Sequence, residues 1–163
     1  MGALPVRAGT RPRTTTQIPH SQLDQQPPDS RHLDQLLDEA GRWPGVLEGE
    51  SQISVEGARA LILADEVPAG PREAFIVGGE FCHGHAQGDH SLHLTLPLDR
   101  AAELESAGWA EPHFLALSDQ LPRTHVMLYA PRDEAEAAFA LEIVRASYDF
   151  ACGRGPTTQP DSD

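Results

Sequence analysis

The stretch FCHGHAQGDHSLHLTL, residues 81–96, decides how the middle of this chain folds. Its second half alternates leucines with polar residues, and this two-residue repeat is typical of a β-strand with one buried face. The intervening AQGDHS is rich in residues that form turns. The stretch therefore predicts two strands joined by a turn, with Leu92, Leu94 and Leu96 directed to the core and His93 directed away from it.

Histidines are concentrated in this stretch: four of the eight in the chain lie at positions 83, 85, 90 and 93. His83 and His85 share a strand face, because side chains two residues apart point the same way. If the turn is the three-residue loop 88–90, His85 lies opposite His93 on that face. A two-residue loop would reverse the parity and separate them. The sequence leaves the turn length open, and it makes His90 a turn residue.

Three imidazoles on one sheet face have two chemical uses. They suit a transition metal ion such as zinc, iron, nickel or copper, and they suit proton transfer near neutral pH. The candidate metal ligands are His83, His85 and His93. The HxH pattern followed by Asp89 resembles only the first metal motif of cupins, and no second motif is recognisable. We therefore favour no metal and no other cofactor, and keep a transition metal as the alternative.

Two later segments supply further candidate site residues. GWAEPH, residues 108–113, follows a helix end and offers Trp109 as an aromatic wall, with Glu111 and His113 as titratable groups. HVMLYAPRDE, residues 125–134, offers Arg132 for pairing with an acidic ligand and puts Tyr129 on one strand face with His125 and Met127. The plainer interpretations are an ordinary turn beside a buried tryptophan, and an arginine paired with a nearby carboxylate.

Composition limits the possible partners. The 163 residues carry 25 acidic and 12 basic side chains, a formal net charge of −13, which disfavours nucleic acids and anionic membranes. The sequence has neither a signal peptide nor an apolar run long enough to span a membrane. Its two cysteines are expected to be reduced. These features predict a soluble cytoplasmic protein that binds neither nucleic acid nor membranes, and they leave the oligomeric state open.

The order of elements predicts an α+β fold, with a mostly antiparallel sheet and about three helices in a single domain. Residues 1–29 are expected to be an extended or loosely attached segment, residues 30–152 the domain, and residues 153–163 a disordered tail. Helices are predicted after Ser30, Asp99 and Asp133. Strands are predicted in the histidine stretch and at 51–55, 58–64, 74–77 and 124–130.

Four segments, EFCHGHAQGDHSLHLTL, GWAEPH, LYAPRDEAEA and IVRAS, resemble in order and spacing the luciferase-domain family, which includes the fungal hispidin-type luciferases and bacterial relatives. GTRPRTT, ahead of the domain, is similar to the segment that precedes the domain in that family. The resemblance covers most of residues 9–151. The family pattern falls on Glu80, His83, His85, His93, Gly108, Trp109, His113, Tyr129, Pro131 and Arg132.

The resemblance implies an oxygen-dependent oxidoreductase that adds O2 to an electron-rich enolic or hydroxylated pyrone-like substrate without an organic cofactor. It implies a histidine as general base, which we assign to His85 or His93, with His83 and His113 as partners. Tyr129 or Arg132 would then orient the substrate. Two alternatives remain open: a metal-dependent enzyme that uses the histidine cluster, and a non-catalytic domain that binds a small molecule.

Overall fold

The computed structural model describes residues 4–154, which form six strands and four α-helices. The strands are β1 (Val46–Glu50), β2 (Arg59–Leu63), β3 (Glu80–Gly84), β4 (Leu92–Thr95), β5 (Ala110–Pro112) and β6 (His125–Leu128). The helices are α1 (Arg31–Ala40), α2 (Leu98–Ser106), α3 (Phe114–Leu117) and α4 (Glu134–Ala151), and a turn of 3-10 helix spans Arg72–Ala74. Of the predicted disordered tail, 155–163 lie outside the described residues.

All six strands belong to one antiparallel sheet in the order β1-β2-β3-β4-β6-β5. The predicted α+β class is therefore confirmed. Within residues 4–154, no helix is both long enough and apolar enough to cross a membrane.

One face of the sheet is covered by α1 and α4, and the main hydrophobic core lies between these helices and the sheet. Helix α1 turns its predicted apolar face inward, with Leu33, Leu36, Leu37 and Ala40 all buried. Burying a leucine side chain stabilises the fold by about 1.5–3 kcal/mol, so this stripe anchors α1 to the sheet. Helix α4 begins where predicted, because the Asp133 carboxylate accepts the backbone N–H of Glu136.

Three elements near the sheet differ from the sequence prediction. Residues 51–55 form a loop rather than a strand, because the strand that pairs with β2 is β1, immediately before them. The apolar run 74–77 leads out of the 3-10 helix into a tight turn, in which Glu80 N–H donates to the Val77 carbonyl oxygen at 2.9 Å. The segment GWAEPH, interpreted as a loop, contains the short edge strand β5, which tolerates Pro112 at its end.

A β-bulge in β3 decides which residues face away from the helices. The register between β2 and β3 shifts at Leu61, so that Cys82 lies opposite Leu61 and Glu80 opposite Ile62. Phe81, the extra residue, packs in the core on the helix side. In a regular strand Phe81 would share the face of His83, but the bulge brings Glu80 to that face instead.

Candidate active site

A cavity of about 330 Å³ lies over the sheet face opposite α1 and α4. Its floor is formed by histidines of β3, β4 and β6 and by His85, which directly follows β3. Its walls come from loops, including Ile53 and Val55 of the segment 51–55, Ile76, and Leu115 and Leu121. The volume is at the lower end of the range for small-molecule sites, so one compact organic molecule would fill it.

The three histidines of the opening stretch converge on the cavity floor. The distances between ring centroids are 5.1 Å for His83 and His93, 4.8 Å for His85 and His93, and 5.5 Å for His83 and His85. The observed strand register differs from the one that a three-residue loop would give, because His83 rather than His85 lies opposite His93. The turn is two residues longer than supposed, which preserves the parity, so all three side chains still share one face.

Two of these imidazoles are supported by buried carboxylates. His83 Nδ1 lies 2.6 Å from Glu80 Oε1, and His85 Nδ1 lies 2.8 Å from Asp89 Oδ1. Ionised carboxylates only accept hydrogen bonds, so each Nδ1 carries the hydrogen and each Nε2 keeps its lone pair. The Glu80 carboxylate is fixed in turn by the Ser51 hydroxyl, at 3.0 Å. The bulge in β3 is the reason that Glu80 can reach His83.

His93 lies at the centre of the cluster, with only 7% of its surface exposed. Burial lowers its pKa well below the ordinary histidine value, and the neighbouring imidazoles lower it further. Its Nε2 donates to the backbone carbonyl oxygen of His20 at 3.0 Å, because a carbonyl can only accept. Nδ1 of His93 is therefore left with a lone pair.

His113 is the N-terminal cap of α3 and joins the cluster from the edge of the sheet. Its ring centroid lies 5.6 Å from that of His93 and 4.8 Å from that of His20. Its Nδ1 accepts the backbone N–H of Leu115 at 3.1 Å, so Nε2 carries the hydrogen of the neutral ring. Burial, and after it the neighbouring His20, lower the pKa of His113 to about 4, so this ring is a neutral donor at pH 7.

The fifth imidazole of the cluster, His20, comes from residues 4–29, which we call the N-terminal segment. Instead of being loosely attached, this segment crosses the cavity and contributes Ile18, Pro19 and His20 to its lining. His20 is only 3% exposed. Sequence reasoning missed it because nothing local in the segment resembles a helix or a strand. The one available signal was the resemblance of GTRPRTT to the family's segment ahead of its domain.

Gln22 fastens the N-terminal segment to the rest of the site. Its side chain is 2% exposed, and its Oε1 accepts the backbone N–H of Ala130 at 2.9 Å. Its own backbone N–H donates to the Asp89 carboxylate, which holds His85. The segment that closes the cavity is thus connected to the proton-accepting end of the cluster.

We expect Gln22→Leu to lower the free energy of unfolding by about 1–3 kcal/mol, because it leaves the buried N–H of Ala130 without an acceptor. Urea denaturation of the two proteins measures this difference. The matched control is Gln17→Leu in the same segment, where the side chain is exposed and a change below about 0.5 kcal/mol is expected. Equal losses for the two variants would contradict the assigned role of Gln22.

The four predicted substrate-binding residues do not line the cavity, and they fall into two groups. Glu111 and Tyr129 lie behind His20: Glu111 Oε2 is 3.1 Å from His20 Nε2, and the Tyr129 hydroxyl donates to Glu111 Oε1 at 3.0 Å. They therefore position His20 rather than contact a molecule in the cavity.

Trp109 and Arg132 lie elsewhere. The Trp109 indole packs on Phe139 of α4, with ring centroids 4.5 Å apart, and donates to the Pro5 carbonyl oxygen. The indole is engaged by these contacts and does not line the cavity, so Trp109 is not one of its walls. The Arg132 guanidinium pairs with the Glu136 carboxylate, with 2.6 Å between Arg132 Nη2 and Glu136 Oε2. This ion pair is the plainer of the two interpretations given above.

Two further histidines, His90 and His125, lie in different parts of the structure. His90 lies in the turn, as predicted, with a φ of 63°. His125 lines the cavity, although the sequence assigned it no role. Because side chains alternate along β6, His125 shares the face of Met127, which lies opposite His93, and that face is the cavity face.

Two overlapping sets of histidines could hold a metal ion. His83, His85 and His93 offer nitrogen atoms that lie within 4.8 Å of one another, and so do His20, His93 and His113. Imidazole ligands suit zinc, copper, iron or nickel. The carboxylates behind His83 and His85 are the usual outer partners of metal-binding histidines, so the donor set fits a divalent transition metal.

Comparison with known proteins identifies the domain that contains this site. Residues 78–147 match the family model of the luciferase domain. Four cluster histidines, together with His125, lie within the matched region, whereas His20 precedes it. The expected resemblance is therefore confirmed.

The chain is also similar to fungal luciferases. The chain is 30% identical to the luciferases of Armillaria gallica and Armillaria mellea, over 90% of its own length and 60% of theirs. It is 29% identical to the luciferase of Neonothopanus nambi, with the same coverage. The chain thus spans about three fifths of the length of these relatives. No solved structure matches it.

Proposed function

We propose that this chain is a small-molecule oxygenase that adds O2 to an electron-rich enolic or hydroxylated pyrone-like substrate, with His85 as general base. The observation that carries this proposal is the pair formed by His85 and Asp89 at the floor of a recessed cavity. The fungal luciferases to which the chain is similar support an oxygen-dependent reaction.

His85 is preferred to His93 as the base because of its carboxylate. When His85 Nε2 takes a proton, Asp89 stabilises the imidazolium that forms, as the aspartate of a catalytic triad does. His93 has no carboxylate partner, and burial lowers its pKa far below the ordinary value, which makes it a poor proton acceptor at pH 7.

Other groups on the cavity floor suit the later stages of the reaction. The Nε2–H of His113 can donate to a developing oxyanion or peroxide, and it remains a neutral donor at pH 7. The Nδ1 lone pair of His93 can accept from a substrate hydroxyl. His85 and His93 are only 3% and 7% exposed, so little bulk water reaches their rings on the cavity floor.

The proposed step balances without an external reductant. His85 removes the enol proton, and the resulting enolate carbon forms a bond to O2 with the electron pair that it gained. The peroxide anion then takes the proton back from the His85 imidazolium. One substrate and one O2 give one hydroperoxide, so the protein supplies only a base, donors and a dry cavity.

We expect substrate-dependent oxygen uptake with members of a panel of 4-hydroxy-2-pyrones and catechols, undiminished after dialysis against EDTA. An oxygen electrode measures it, with heat-denatured protein as the blank. Uptake should rise in proportion to protein concentration. Absence of uptake across the whole panel would contradict the proposal.

A metal-dependent reaction is the second candidate, and the carboxylates behind His83 and His85 favour it. In that case His83, His85 and His93 would hold the ion, which would act as a Lewis acid toward a substrate oxygen. Elemental analysis of protein purified without a histidine tag distinguishes the two. A folded sample with less than about 0.1 metal ion per chain and full oxygen uptake would exclude the metal reaction.

A further inference from the structure

His125 is a buried polar side chain without a hydrogen-bond partner. It is 6% exposed and lines the cavity. Neither of its ring nitrogens has a partner among residues 4–154. Buried polar side chains in folded proteins nearly always have at least one partner, so an imidazole with two unpaired nitrogens requires an explanation.

The groups around His125 are already engaged. The Thr95 hydroxyl, opposite it on β4, donates to the Ala74 carbonyl oxygen at 2.7 Å. The neighbouring Thr124 hydroxyl donates to the Glu73 carbonyl oxygen at 2.8 Å. The Pro122 carbonyl oxygen accepts the backbone N–H of His125, and its weaker pull on the ring, which raises the pKa of His125 against the larger effect of burial, falls short of a hydrogen bond. Both threonine hydroxyls have already given their single hydrogen to a carbonyl oxygen, so neither has one left for the lone-pair nitrogen of His125.

The position of His125 relates it to the histidine cluster. Where β4 pairs with β6, Thr95 lies opposite His125 and His93 lies opposite Met127. His125 is therefore two residues along β6 from the residue opposite His93, so His93 and His125 are diagonal neighbours on the cavity floor. Diagonal neighbours of this kind are about 7–8 Å apart. The walls of the same cavity include the apolar side chains of Ile76, Leu115 and Leu121.

We propose that His125 binds an oxygen-bearing polar group, a hydroxyl or a carbonyl, at the end of the substrate remote from the reacting carbon. The substrate is thereby defined as a molecule with an enol at the histidine cluster, an apolar middle, and a second polar group at its far end. A neutral imidazole has one donor and one acceptor, so either group satisfies it. The inference rests on the proposed function in one respect only: the proposed function places the enol of the substrate at the histidine cluster.

The first test compares two probes that differ by one hydroxyl, 4-hydroxy-6-(4-hydroxyphenyl)-2-pyrone and 4-hydroxy-6-phenyl-2-pyrone. Calorimetry under anaerobic conditions measures their dissociation constants without turnover. We expect the protein to bind the hydroxylated probe about tenfold or more tightly, and His125→Leu to lose that preference. Leu121→Ala, in the same wall, should weaken binding of both probes and keep their ratio.

The second test needs no ligand. We expect His125→Phe to raise the melting temperature by about 2–4 °C, because it replaces unpaired nitrogens with apolar surface of similar shape. A histidine with a structural role would instead lose stability on this change. Equal binding of the two probes, no binding of either, or a lower melting temperature for His125→Phe would overturn the inference. If oxygen uptake fails while probe discrimination persists, the proposed reaction fails and the assignment of His125 stands.

Discussion

His85→Asn is expected to lower kcat/KM for oxygen uptake by about 10²–10⁴-fold, the usual contribution of a positioned general base. Asparagine keeps a polar side chain of similar reach but cannot take up a proton near neutral pH. The fold should survive, because Asp89 retains the hydroxyl of Ser91 at 2.9 Å and the backbone N–H of Gln22 as donors. Steady-state uptake over a substrate titration separates the loss in kcat from any change in KM.

The matched control for this loss is His90→Asn. His90 lies in the same turn, and its left-handed backbone, with a φ of 63°, suits asparagine better than most residues. We expect uptake within about threefold of the parent protein. Should His85→Asn also stay within threefold, another residue is the base. Should the parent bind the pyrones without oxygen uptake while His85→Asn only weakens that binding, the domain is a non-catalytic binder.

Acidification from pH 7 to pH 5 is expected to remove several kcal/mol of the free energy of unfolding. Burial lowers the pKa of His83, His93 and His125 in the folded protein, so they stay neutral where the unfolded chain takes up protons. The unfolded state then binds more protons, and stability falls as the pH falls below about 6.5. Each group contributes at most about 1.4 kcal/mol per pH unit, which gives an upper limit of about 4 kcal/mol per unit for the three.

Protonation of His113 adds to this dependence of the free energy of unfolding on pH, although the partial exposure of His113 reduces its contribution. Because its pKa is about 4 in the folded protein, its contribution is complete above about pH 6.5 and is lost as the pH falls toward 4. Below that value both states are protonated and the loss levels off. From pH 7 to pH 8 the stability should hardly change on account of these groups.

Urea denaturation of EDTA-treated protein at pH 7, 6 and 5 measures the effect, provided that the dependence on urea stays the same. The informative comparison is His125→Phe, which removes one of the groups. Its stability should fall less steeply with pH, by up to about 1.4 kcal/mol per unit. A parent protein with equal stability at pH 7 and pH 5 would show that the cluster takes up protons while folded.

The parts of the structure that were predicted from the sequence depend on local patterns. The leucine alternation in β4 and the apolar face of α1 follow from periods of two and 3.6 residues, which a short window reveals. The common face of His83 and His85 follows from the same alternation, whereas the place of His93 on that face depended on the turn length, which the sequence left open. The alternating pattern of 51–55 misled for a related reason: Ile53 and Val55 are apolar because they line the cavity.

The remaining parts depend on contacts between distant residues. The bulge that brings Glu80 to His83 is set by packing between β2 and β3, and no residue in FCHGH signals it. His20 reaches His93 across 73 positions of the chain. The roles suggested for Trp109 and Arg132 came from sequence neighbours, and the edge strand β5 and helix α4 place both side chains away from the cavity.

The docking of the N-terminal segment has a consequence for engineering. A graft limited to the matched region 78–147 would carry His83, His85, His93 and His113 into a new scaffold but would leave Ile18 and His20 behind. Its histidines would then lie in an open trough, where a hydroperoxide would meet bulk solvent as soon as it formed. A transplanted site of this kind needs the N-terminal segment as well as the histidines on the sheet, so the fragment to be transplanted extends back to the residues around Gln22.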